Sequence, residues 1–165
     1  QERFVETCDL SIFSNGEVLY LEVVQSRYPL QIAARPGQRL PGHCTASGKV
    51  FLAFASSDEL SQALREPLRR YTENTITARH RIMEQMELIR SRGYGFDDGE
   101  YEAGVRAIAA PVRDATGKVV CVLGMPGPAA RMDTERVAEI AAALIAAVDD
   151  ISAHMGWQRN RPTLT

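Results

Sequence analysis

GYGFDDGEYEAGVRAIAAPVRDATGKVVCVLGMPGP, residues 93–128, decides the fold. It reads as a turn, an acidic loop, and two long strands of small and apolar residues. Asp114 to Gly117 joins the strands, which span 105–113 and 118–125. Acidic side chains at the mouth of such strands give a cavity shape and few reactive groups. That suits a small-molecule pocket better than a catalytic centre.

Working outward, residues 7–24, TCDLSIFSNGEVLYLEVV, place Asn15-Gly16 between two aliphatic and aromatic runs. Both turn residues tolerate positive φ, so the segment predicts a type I′ hairpin. A third strand is expected at Leu30 to Ala34, before the Pro- and Gly-rich loop at 34–42. Thr45 is placed to cap a helix with Ala46, Val50, Ala53 and Phe54 on one face. Ser56 or Ser57 caps a short second helix that Pro67 terminates. Thr77 caps a third, lined by Ile82, Met86 and Ile89 up to Gly93. A long last helix, from about Asp133 to His154, carries the stripe Val137, Ile140, Ala141, Leu144, Ile145, Val148 and Ile151. Hairpins with helices inserted between them predict an α+β fold: one domain with an antiparallel sheet flanked by helices.

A chain of 165 residues fits one domain, and 45% hydrophobic with 24% charged residues is ordinary for a globular protein. Net charge is −2. The small basic groups (Arg65, Arg69 and Arg70; Arg79 and Arg81; Arg159 and Arg161) are too sparse to track a phosphate backbone. Nothing reads as a membrane span. Three scattered cysteines, Cys8, Cys44 and Cys121, fit a reducing cytoplasm rather than a disulfide framework.

Three blocks carry a resemblance: LPGHCTASGKVFLAF at 40–54, IRSRGYGFDDGEYEAGV at 89–105, and IAAPVRDATGKVVCVLGMPGPAAR at 108–131. In this order they resemble the C-terminal effector-binding domain of IclR-type bacterial transcriptional regulators. The resemblance implies a GAF-like fold, a curved antiparallel sheet with flanking helices, spanning residues 1–165. It implies a cytoplasmic regulator, repressor or activator, and no enzyme or cofactor. DNA would be bound only through an N-terminal winged helix-turn-helix domain absent from this chain. It implies a homodimer or homotetramer, no membrane partner, and a small organic acid as effector, aromatic acids included. A GAF-type sensor with a different output domain is the alternative.

Carried onto this sequence, the resemblance places the ligand-binding residues at Leu40, Ala46, Ser47, Gly48, Asp97, Ala107, Cys121, Gly124 and Pro126. Backbone N–H groups at 46–48 open a helix and suit a carboxylate. Some relatives carry serines where Gly124 and Pro126 stand, which predicts a roomier, less polar pocket here. His43-Cys44 invites a nucleophile reading, but neighbouring residues rarely converge on one atom and no third group is evident. A metal held by His43, Cys44, Asp97 and Cys121 lacks ligand spacing. In Asp97-Asp98-Gly99-Glu100, one functional carboxylate, Asp97, is favoured over a cation site. Lys49 is expected to pair with a carboxylate at the surface.

Overall fold

Alternation along residues 105–113 organises the molecule. Ile108, Ala110 and Val112 point to one side of the strand, Ala107 and Ala109 to the other. In the computed structural model, which describes residues 1–158, this strand is β5 (Val105–Arg113). It pairs with β6 (Val119–Pro128) and with β4 (Gly95–Asp98). The predicted hairpin forms as β1 (Cys8–Ser14) and β2 (Glu17–Val24), with Asn15 and Gly16 both at positive φ. A three-residue strand, β3 (Arg39–Pro41), completes a curled antiparallel sheet of order β3-β2-β1-β6-β5-β4.

Helices cover both faces. On one side α1 (Ala46–Ala53) packs on β5 and on α3 (Arg79–Arg92). Val50, Leu52, Ile82, Met86 and Ile89 are buried there with Ala109 and Val122. On the other side α4 (Thr134–His154) sets Ile140, Ala141, Leu144 and Val148 against Ile108, Ala110, Val112 and Met125. The short α2 (Ser57–Ala63) starts with a capping box between Ser56 and Glu59.

Several expectations change. Residues 30–34 form no strand, because side chains satisfy their carbonyls: Thr7 Oγ1 donates to Ile32, Arg131 to Leu30 and Gln25 to Ala34. Conversely, Gly95–Asp98 of the presumed acidic loop is an edge strand. Ala78 rather than Thr77 precedes α3, without a side-chain cap. Helix α2 ends at Ala63, short of Pro67. Trp157 stacks under Arg113, whose guanidinium carbon lies 5.7 Å from its ring centre. Arg159 and Arg161 lie outside the described residues. Among the described residues no helix is long and apolar enough to cross a membrane.

Candidate functional site

A cavity opens between the first turn of α1 and the α1-facing side of the sheet. Its floor is made of small residues because the strands beneath are small at that parity: Ala107 on β5, Gly124 and Pro126 on β6. Leu40 on β3 and Ala46 and Ser47 on α1 close it, with Asp97 entering from β4. Its volume is about 60 Å³, well above the roughly 10–15 Å³ that a single ordered water needs.

The N-terminus of α1 is held in place by its cap. Thr45 Oγ1 accepts from Gly48 N (3.2 Å) and donates to the Pro41 carbonyl (2.8 Å). Lys49 N bonds to Thr45 O at 2.9 Å. Ala46 N–H and Ser47 N–H have no partner within a helix at these positions, and their residues line the cavity.

Seven of the nine predicted residues therefore meet: Leu40, Ala46, Ser47, Asp97, Ala107, Gly124 and Pro126. Two do not. A Cβ on Gly48 would lie 2.2 Å from the Gly42 carbonyl oxygen, so this glycine lets α1 sit on the loop and does not face the cavity. Cys121 is odd in number where Gly124 and Pro126 are even, and it packs on the α4 side. In a strand that parity decides the face.

The acidic run is divided among separate partners. Asp98 pairs with Arg106 at 2.6 Å. Glu100 pairs with Lys49, whose ammonium also donates to the Phe96 carbonyl. Lys49 is 1% exposed, so the expectation of a surface pair is corrected: this ion pair is buried behind the cavity. Asp97, 4% exposed, accepts from Glu100 N at 2.7 Å. Burial pushes its carboxyl up to about 7, against the opposing pull of Lys49 and of the Glu100 N–H.

One residue that sequence reasoning missed changes the character of the site. Asp9 on β1 stands directly opposite Gly124 in the β1–β6 ladder. It lines the cavity, is 2% exposed, and its Oδ1 has no hydrogen-bond partner. Burial raises its carboxyl to about 7. A Cβ on Gly124 would lie 2.6 Å from Asp9 Oδ2 and 2.7 Å from Oδ1, so the carboxyl occupies the space a side chain at 124 would take. The expected roomier, less polar wall is corrected accordingly. Tyr20, also in the lining, lies near enough to both Asp9 and Asp97 that their charges add to burial in raising its phenol. The cavity lining contains Glu102 but no Lys, Arg or His among the described residues.

The alternative chemistries do not assemble. His43 Nε2 lies 2.9 Å from the Arg69 carbonyl, and the Cys44 thiol is fully buried and pushed up to about 12, first by burial and then by Asp97 and Glu100. That is the reverse of an activated nucleophile. Among the described residues, no group of three His, Cys, Asp or Glu is placed to hold a metal ion.

Residues 1–153 match the family model described as the C-terminal part of the bacterial transcriptional regulator IclR. The chain is 38% identical over 153 residues to the HTH-type transcriptional regulator KdgR of Escherichia coli, covering 92% of this chain and 58% of that protein. It thus spans little more than half of that relative. Among solved structures, the C-terminal domain of E. coli KdgR superposes with a TM-score of 0.83 at 35% identity, covering 94% of this chain and 91% of that one. The Thermotoga maritima IclR superposes at 0.87 with 30% identity, covering 94% and 64%.

Proposed function

The chain belongs to the IclR family of bacterial transcriptional regulators, which are not enzymes, and matches their C-terminal part; we propose that it is the effector-sensing domain of such a regulator and binds a small carboxylic acid. The observation that carries this reading is the cavity itself. It brings Ala46 and Ser47, first-turn residues whose N–H groups have no helical partner, into one lining with the buried Asp97, over a floor without reactive groups. A helix N-terminus offers a carboxylate hydrogen bonds and a favourable dipole at once. Asp97, held by the Glu100 N–H, orients whatever polar group lies at the other end.

The volume narrows the class. A guest with the bulk of a few waters is an aliphatic acid of two to four carbons; an aromatic acid needs the walls to part. In the whole regulator, effector binding shifts the affinity of an N-terminal winged helix-turn-helix for its operator, and DNA reciprocally shifts effector affinity. The protein acts in the cytoplasm as a homodimer or homotetramer, and the open edges β3 and β4 are available for association.

Thermal-shift screening of the chain against aliphatic and aromatic carboxylates tests this. Stabilisation by short aliphatic acids, lost in Asp97→Ala, which removes the orienting group, is expected. A response confined to cationic or nucleotide ligands would contradict it.

A further inference from the structure

The wild-type cavity presents an acceptor that nothing in the protein satisfies. Asp9 Oδ1 is buried and unpartnered, and a second orphaned acceptor, Gln38 Oε1, belongs to another lining residue. A buried polar atom without a partner is costly and rare, and at a cavity it marks where a donor on a guest belongs. The environment also shows how Asp9 came to face inward. β1 pairs with β6 at Asp9 and Gly124, and with any side chain at 124 the carboxyl could not keep its position. Asp97 enters from β4, which pairs with β5 at Ala107; Ala107 pairs in turn with Pro126. The two carboxyls thus look over one small-residue floor from its two sides, with the α1 N–H groups above.

We propose that Asp9 is a specificity-determining residue of the effector site, accepting a hydrogen bond from a hydroxyl on the ligand, so that the cavity takes short hydroxy acids in preference to the corresponding deoxy acids. This rests on the reading of the cavity as an acid site. It adds that the carboxylate end is held at Ala46 and Ser47, while selection between acids occurs at the Asp9–Gly124 wall. An acid lacking the hydroxyl leaves Oδ1 unpaired on binding, and a site built to hydrogen-bond a ligand hydroxyl discriminates strongly against the analogue that lacks it. An apolar acid gains nothing at that wall, since the surface it would cover is a carboxyl.

The test compares lactate and glycerate with propionate by isothermal titration of the chain at fixed pH and salt. In the wild type the hydroxy acids are expected to bind about tenfold or more tighter than propionate. In Asp9→Asn, which keeps the shape of the side chain, that ratio is expected to fall several-fold, while propionate affinity holds or rises. A purely structural role for Asp9 would move both acids together and leave the ratio unchanged. Gly124→Ser provides a second variant, expected to lose the preference by displacing the carboxyl. The wild-type ratio is decisive even if neither variant folds. Equal affinity for lactate, glycerate and propionate would overturn the role of Asp9 and leave the acid site standing. Binding of no acid of either kind would overturn both.

Discussion

Replacing Asp9 by asparagine keeps the side chain's shape and removes its ionisation, which isolates the cost of burying that carboxyl. In the folded chain its pKa is raised from 3.8 to about 7 by burial, with no cation in the cavity lining to offset it. Between pH 3.8 and 7 the unfolded chain has released the proton and the folded chain still holds it. Stability therefore falls as pH rises through this window, and the full penalty is present above 7. At about 1.36 kcal/mol per unit, the penalty is about 4 kcal/mol at pH 8 and a little under 2 at pH 5. The buried amide of the variant has its own cost, but that cost does not vary with pH. The quantity to read is thus the change in ΔΔG between the two pH values, about 2.5 kcal/mol in favour of Asp9→Asn at the higher pH. Urea denaturation of both proteins at pH 5 and pH 8 measures it. A variant destabilised equally at both would show that Asp9 is ionised and satisfied in the fold, and would refute the account of the site given above.

Other consequences follow from the same geometry. Lys49→Met strands Glu100 as a buried carboxylate and is expected to cost about 3–5 kcal/mol in urea denaturation; a loss under about 1 kcal/mol would place the pair in solvent. Gly48→Ala drives a methyl into the Gly42 backbone, so α1 must shift; a sharp drop in Tm together with weakened acid binding is expected, and a variant with unchanged Tm would show that the α1–loop contact is looser than described. Because Asp9 and Asp97 both titrate near 7, a carboxylate guest is favoured when they are neutral; its affinity should fall about tenfold from pH 6 to pH 8 for each group that must stay protonated, with proton uptake in calorimetry, whereas a flat profile would mean both remain ionised.

Much of the fold was legible because its signals are local. Asn15-Gly16 dictates a hairpin by its φ values, Thr45 and Ser56 cap as their hydroxyls suggest, and the α4 stripe repeats with helical period. What was not legible depends on neighbours distant in the chain. Residues 30–34 look like a strand until the partners of their carbonyls are seen to be Thr7, Gln25 and Arg131. Gly95–Asp98 looks like a loop until β5 is laid beside it. The site divides in the same way. Most of its floor followed from the small residues of β5 and β6, and counting parity along β6 would have excluded Cys121. Asp9 was hidden by the usual rule for strands. In β1 the polar Asp9 and Ser11 are the buried face while Leu10 and Ile12 are only half-buried, so alternation read alone points Asp9 to solvent. Only the pairing of Asp9 with Gly124 reveals that it faces the cavity.

The central claim, that the tip of α1 and the small-residue strands hold a short acid, is tested most directly by amide NMR of the ¹⁵N-labelled chain titrated with lactate. The largest shifts are predicted at Ala46 and Ser47, with Asp9, Asp97 and Gly124 following on the same saturation curve. Saturable shifts centred elsewhere, or none up to millimolar ligand, would contradict it.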